Sequence, residues 1–328
     1  MRILYAIQGT GNGHISRARE IVPLLQQYGN LDLLISGTQA DVSLIENVKY
    51  ELHGFSFIFG RKGGVNHYET WRSMNLPRFV RDMNKLPLEQ YNLIVNDFEP
   101  VTAWACKRKG LESVGLSHQA SFQSKHVPRP KSIDWAQLVL KYYAPATHYQ
   151  GFHFEKYDEF INTPVIRSQI RELQVRDDGH YTVYLPAIDD KFLIPILHQI
   201  PQIQWQVFSK HAICSYTSRN VQVNLINNEG YNASLASCTG LLTGGGFEGP
   251  AEALFLGKKL LVVPMKFQYE QQCNAYALKA FGIPVIWGSN KNWLPVVKEW
   301  VAHGKIIHFD YPDETPAVID RLVKQFAR

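Results

Sequence analysis

Two glycine-rich loops, each set between a short apolar run and a helical pattern, constrain this chain more than any other feature. The first lies in RILYAIQGTGNGHISRARE (2–20) and the second in LLTGGGFEGPAEALFLGKKLLVVP (241–264). RILYAI (2–7) reads as a buried strand, and Ile15, Ala18, Ile21, Val22 and Leu25 fall at helical spacing after the loop. LDLLIS (31–36) is a second strand. Strand, glycine loop, helix and strand in that order make a βαβ unit whose ligand-facing end is the helix N-terminus. LIVND (93–97) and SVGLS (113–117), with the helical TAWACKRKG between them, extend the same pattern.

A second series begins after NTPVIRSQI (162–170). Strands are expected at YTVYLP (181–186), IQWQVFS (203–209), VQVNLI (221–226), TGLLTG (239–244) and KLLVVPM (259–265), and helices at FLIPILHQI (192–200) and PAEALFLGK (250–258). The chain therefore reads as α/β, with two Rossmann-like, doubly wound parallel-sheet domains facing a cleft. The expected boundaries are 1–162, 163–310 and a C-terminal segment, 311–328, whose amphipathic ETPAVIDRLVKQFAR is a helix placed to pack back on the first domain. Residues 54–90, aromatic, basic and glycine-containing, read as an insertion or loop with a helix near the site.

The length, 328 residues with 45% apolar and 19% charged side chains, suits two soluble domains of ordinary size. The net charge of +5 comes without a dense Lys/Arg run, so nucleic acid is not an expected partner. Cys106, Cys214, Cys238 and Cys273 form no CxxC pair, which favours reduced thiols in the cytoplasm. The apolar start is too short for a signal peptide, and no run approaches the ~18 residues of a spanning helix.

The first loop is not a dinucleotide fingerprint. His14 stands where G-x-G-x-x-G needs its third glycine, and Ile35–Ser36–Gly37 ends the second strand without the acidic residue that would hold a ribose. No Walker sequence occurs. Small residues still let a ligand approach the backbone. A histidine at the start of a helix, at the carboxyl end of the first strand, either caps the loop or serves as a general base. Asp97, at another strand end, is placed to fix its tautomer. Asp97 reads equally as a cap for the helix after Pro100, and Glu99 is a competing partner.

In the second loop, Gly244, Gly245 and Gly246 precede Pro250, expected as the first helical residue. Glycine-rich backbone at a helix start cradles a diphosphate. Glu252 would sit in the first turn, either favouring the helix start or accepting ribose hydroxyls. Here the chain resembles the GT-B glycosyltransferases, in particular the lipid-linked N-acetylglucosaminyltransferase of peptidoglycan synthesis and the UDP-glycosyltransferases. The likeness rests on Gly244–Gly246, Ala251–Glu252, Val263–Pro264, Glu270–Gln271 and Asn274–Ala275, and on GTGNGH at the start; it runs from residue 2 to about 275. The start G-x-G-H-x-x-R and the D-F-E-P at 97–100 are also found in little-characterised members of the superfamily.

The resemblance implies an inverting transfer of a sugar from a nucleotide donor, expected to be UDP-linked, to an acceptor hydroxyl. His14 is implied as base and Asp97 as its partner. Glu252 is implied as the ribose ligand, and Glu270 and Gln271, with Gln272 adjacent, as donor-sugar ligands. Further donor contacts are implied from Gly11, Gly13, the main chain at Ile226, the loop residues Gly244 to Gly246, and Phe247, Glu248 and Gly249. One departure is YLPAIDDKF (184–192), where the family often has a glycine-rich turn; Asp189 and Asp190 would repel a diphosphate. No cofactor and no metal are expected, since helix-end amides can stabilise the leaving group. Phe57, Phe59, Arg61, Lys62, Trp71, Arg72, Arg78, Phe79 and Arg81 read either as an acceptor wall or as a peripheral contact with the inner face of a membrane carrying a lipid-linked acceptor. A sugar-nucleotide epimerase and a non-catalytic sugar-nucleotide sensor are the alternative functions.

Overall fold

The computed structural model describes residues 1–9, 12–37, 48–54, 59–60, 64–65, 75–130, 135–266, 268–288 and 293–327. Strand β1 (Arg2–Gln8) feeds helix α1 (Asn12–Gln26), which returns the chain to β2 (Asn30–Ser36) and then β3 (Tyr50–Leu52). A short antiparallel ribbon pairs β4 (Phe59–Gly60) with β5 (Gly64–Val65). Helix α2 (Leu76–Lys85) precedes β6 (Leu93–Asp97), α3 (Pro100–Lys109), β7 (Val114–Ser117), α4 (Trp135–Tyr142), β8 (His148–Phe152) and β9 (Ile161–Asn162). These strands form one seven-stranded sheet, order β3-β2-β1-β6-β7-β8-β9, with every neighbouring pair parallel.

The period-two rule explains why β1 is central. Ile3, Tyr5 and Ile7 enter one core, while Leu4 and Ala6 enter the core on the opposite face. A strand apolar on both faces is stable only between two layers of helices. The order reverses between β1 and β6, and the crevice at such a switch point is where open α/β sheets bind ligands. The register pairs Ile7 with Asp97, which sets Asp97 level with the glycine loop.

The second sheet holds β10 (Tyr181–Tyr184), β11 (Trp205–Ser209), β12 (Tyr216–Ser218), β13 (Val221–Leu225), β14 (Gly240–Gly244) and β15 (Lys259–Val263), in the order β12-β13-β11-β10-β14-β15. Its helices are α5 (Asp190–Leu197), α6 (Asn228–Ser237), α7 (Glu248–Phe255), α8 (Tyr269–Ala280) and α9 (Trp293–His303). The switch point lies between β10 and β14, so the Gly244–Gly246 loop opens into it. The antiparallel edge strand β12 was not expected from sequence; it is three residues long and Tyr216 is exposed, so it carries no burial pattern to read.

Two local expectations are corrected. Helix α7 starts at Glu248, so Pro250 is its third residue, still within the turn whose N–H groups have no intrahelical acceptor. Glu252 consequently lies beyond the first turn. Asp189 does not face a phosphate as a free charge: it is the N-cap of α5, accepting from the Lys191 N–H, and Asp190 is buried and accepts from Ser209 Oγ at 2.6 Å.

One apolar cluster runs from Ile15, Ile21 and Leu25 of α1 to Leu254 of α7 and to Val318, Ile319 and Leu322 of the last helix, α10 (Thr315–Phe326). Helix α10 packs on α1, and Tyr28 donates to Asp320 at 3.0 Å. Ile319 is fully buried in this seam. Ile319→Ala should therefore lower the unfolding free energy by about 2–5 kcal/mol, read from urea unfolding curves.

Candidate active site

The turn after β6 explains how Asp97 is presented. Asn96 bridges the turn, donating from Nδ2 to the Glu99 carbonyl and accepting the Glu99 N–H at Oδ1. Phe98 takes a left-handed conformation, φ 57°, which an aromatic residue adopts only when its surroundings hold it there. Glu99, followed by Pro100 at the first helical position, caps α3 by accepting the Val101 and Thr102 N–H groups, and it also accepts from Ser36 Oγ at 2.7 Å. The two carboxylates thus divide the tasks that sequence left open: Glu99 caps the helix, and Asp97 is released to the crevice.

His14 sits in the first turn of α1, and its Nδ1 lies 2.7 Å from Asp97 Oδ1. Its Nε2 bonds to no described residue. Both side chains are buried. Arg17, one turn further along α1, donates from Nε to Asp97 Oδ2 at 3.0 Å and from Nη2 to Oδ1 at 2.7 Å, a bidentate grip. Tyr5 Oη donates to Oδ2 at 3.3 Å. Burial alone would raise the Asp97 carboxyl, but the charges and hydrogen bonds of Arg17 and His14 overcome it and hold the group down at about 2. Burial and the neighbouring Asp97 push the Tyr5 hydroxyl well above its ordinary value, so it remains a donor.

Arg17 is the site residue that sequence reasoning missed. The signal was present, since i+3 on a helix is the same face as His14 and the motif G-x-G-H-x-x-R contains it. Its third nitrogen, Nη1, donates to Glu248 Oε1 at 2.7 Å, at the start of α7 in the opposite sheet's domain. Burial opposes the Arg17 charge, and Asp97 and Glu248 more than compensate.

The facing side of the crevice is built from the second glycine loop. A Cβ on Gly245 would lie 2.7 Å from the Gln271 carbonyl oxygen, whereas one on Gly246 would meet nothing within 4 Å. The Phe247 ring is buried and stacks on His118 of the first domain, with ring centroids 3.9 Å apart. His118 also contacts Asn274 Oδ1 at 2.8 Å, and Gln119 donates to Glu270 Oε2 at 3.0 Å, so two of the motif residues on α8 meet the first sheet's loops. Gln271 is turned inward and accepts the Met265 N–H at Oε1. Gln272 lies on the first turn of α8, half-buried. Ile226 is exposed just after β13, and Gly249 has room for a side chain. Gly11 lies outside the described residues.

Glu252 departs most from expectation. It is buried and held by a bidentate pair from Arg167, Nε to Oε1 at 2.5 Å and Nη2 to Oε2 at 2.9 Å. Arg167 lies between the two sheets in sequence and also donates to Asn228 and Asn232 of α6. Burial pushes the Glu252 carboxyl up, and Arg167 holds that rise in check.

A sequence model described as glycosyl transferase family 1 matches residues 1–303. The chain belongs to this family. Solved glycosyltransferases share its architecture at low identity. MurG of Acinetobacter baumannii is 12% identical, with 99% of each chain covered and a TM-score of 0.54. A UDP-glucosyltransferase from Polygonum tinctorium is 12% identical, with 99% of this chain and 93% of that one covered and a TM-score of 0.61. UGT2 of Phytolacca americana is 14% identical, covering 100% and 94%, with a TM-score of 0.58. No curated protein sequence matches the chain significantly. This family 1 chain is thus a glycosyltransferase of GT-B fold. Among the described residues no helix is long and apolar enough to cross a membrane.

Two expected outcomes follow from the geometry. Asp97→Asn leaves a buried guanidinium short of its counter-charge and should cost about 3–5 kcal/mol at neutral pH. The gap between variant and parent should shrink in acid, because a depressed carboxylate stabilises fully above its unfolded value of ~3.9 and loses that contribution as pH falls through about 2. Urea unfolding at neutral and acidic pH checks both. Gly245→Ala should cost about 1–3 kcal/mol by the same measurement and Gly246→Ala far less, since only the first forces a clash.

Proposed function

We propose that this family 1 glycosyltransferase moves a sugar from a UDP-linked donor to an acceptor hydroxyl with inversion, using His14 as base. One observation carries the reading: Nδ1 of His14 lies 2.7 Å from the ionised Asp97 carboxylate, which can only accept, so the proton is read on Nδ1 and Nε2 as the basic nitrogen; Arg17 Nη2, 3.1 Å from Nδ1, is spent on the same carboxylate oxygen at 2.7 Å. The acceptor proton passes to Nε2 as the acceptor oxygen bonds to the anomeric carbon. The bond from that carbon to the diphosphate oxygen breaks, and its electron pair leaves with the nucleoside diphosphate. Asp97 stabilises the imidazolium through the retained Nδ1–H. A positioned base of this kind contributes roughly 10²–10⁴-fold.

The donor's diphosphate is read against the main-chain N–H groups at the start of α7, which supply fixed dipoles for the leaving group without recourse to a metal or other cofactor. The ribose is read at Glu252, so donor entry exchanges Arg167 N–H bonds for ribose hydroxyls, and the base lies near Ile226. Glu270, Gln271 and Gln272 are read as facing the sugar.

The acceptor is read as lipid-linked and the chain as a peripheral cytoplasmic enzyme. Support comes from α2, where Leu76 and Val80, 59% and 41% exposed and one turn apart, lie among the exposed Arg78, Arg81 and Lys85. Phe79 is half-buried. Phe57, Arg61, Lys62, Trp71 and Arg72 lie outside the described residues, and of Phe59 only the backbone is described.

A thermal-shift screen over nucleotide sugars, followed by product analysis with the best binder, tests the reading. UDP-linked donors should raise the melting temperature most. His14→Ala should lower turnover by at least ~10²-fold while leaving that shift intact, and Glu252→Gln should weaken the shift first. Full turnover in His14→Ala would dismiss the base. In flotation with vesicles containing anionic lipid, the wild type should rise with the vesicles and Leu76→Asp/Val80→Asp should remain behind.

A further inference from the structure

Arg17 connects the two halves of the site. Two of its nitrogens hold Asp97, and the third holds Glu248 across the crevice. The Arg17 side chain is 2% exposed and that of Asp97 0%, so their charges are counted in a medium that screens poorly. Asp97 and Arg17 cancel. Glu248 adds one negative charge, brought by the second domain.

Glycine at position 13 makes this approach possible. A Cβ there would lie 2.5 Å from Glu248 Oε2 and 3.0 Å from Oε1, so a side chain at the start of α1 would push the carboxylate off Arg17. Arg17 also faces the imidazole directly, its Nη2 lying 3.1 Å from His14 Nδ1 while bound to Asp97 Oδ1. Among the described residues, the other groups against the His14–Asp97 pair are the Tyr5 hydroxyl from β1, which donates to Asp97, and the Phe98 ring, parallel to that of His14 with centroids 6.4 Å apart. Neither brings a charge.

Resting on the reading of His14 as base, we propose that Glu248, reaching Arg17 from the second domain, is a positioning residue that sets the strength of that base through this contact. With Glu248 in place, the imidazolium formed during transfer neutralises a cluster of net charge −1. Without that carboxylate, the same imidazolium adds an uncompensated charge to a site already neutral. Proton removal is thereby tied to a residue of the second domain. Arg17 and Glu248 exchange no proton; the acceptor's proton ends on Nε2 of His14.

The decisive variant is Glu248→Gln, which keeps the shape and the acceptor oxygen facing Arg17 and removes only the charge. The titration of His14 is followed by NMR in the nucleotide-free full chain with carbon-13-labelled histidine, the signal being assigned by its loss in His14→Gln. In Glu248→Gln, His14 should bind its second proton about tenfold more weakly than in the parent, a downward move of the midpoint by about one pH unit. Gly13→Ala, which displaces the carboxylate by contact, should move it the same way. An unmoved midpoint in both variants overturns the proposal. No sugar nucleotide enters this measurement, so its result stands apart from whether transfer is found. With the donor selected by the screen, Glu248→Gln should lower kcat about tenfold at unchanged donor KM; a raised KM at unchanged kcat means that Glu248 only grips the donor, and overturns the assignment.

Discussion

The guanidinium of Arg17 is the interaction on which the site depends. It lies between a carboxylate from each domain, all three of its nitrogens are engaged, and it is nearly inaccessible to water. A buried charge persists only when paired and hydrogen-bonded, so Asp97 must be ionised and Glu248 must approach. That requirement reaches outward. Asp97 is free for Arg17 because Glu99 caps α3, and Glu248 can approach because residue 13 is glycine. The strained turn at Phe98 delivers both carboxylates, one to each task.

Among the described residues the domains meet through apolar surface and polar contacts, Ser168 to Glu20 among them. Beside Arg17–Glu248, His118 touches Asn274 and stacks on Phe247, and Gln119 holds Glu270. These residues follow β7 on one side and lie on the glycine loop after β14 and on α8 after β15 on the other, so each contact joins segments that follow strand ends of the two sheets. Burial pulls the His118 imidazole below its ordinary range, which suits a neutral ring packed against Phe247. The residues that resemble donor ligands are thus partly engaged by the opposite domain, and a donor would enter by exchanging protein contacts for its own.

The pairing of Arg167 with Glu252 belongs to the same pattern. The Glu252 carboxylate, proposed above for the ribose, is held by a side chain from the segment joining the two sheets, which also reaches α6 through Asn228 and Asn232. Glu252, α6 and the connecting segment therefore share a network, and whatever displaces Arg167 also loosens the tie between that segment and the second domain.

The sequence by itself determined the layers and the loops. Strands buried on both faces read as continuous apolar runs, helices show 3.6-residue spacing, and glycine marks the places where backbone and ligand come close, all of them signals carried within a few residues. His14 and Asp97 were readable for the same reason, because strand ends of one parallel sheet converge. The tertiary structure alone decided between Asp97 and Glu99, since both have the right chemistry and only the local turn separates their directions. It alone joined Arg17 to Glu248, 231 residues away, and Arg167 to Glu252, 85 away. Charged partners so distant leave no periodicity in the chain; which of them meet is set by how the two sheets pack, and the cost of an unpaired buried charge makes that choice strict.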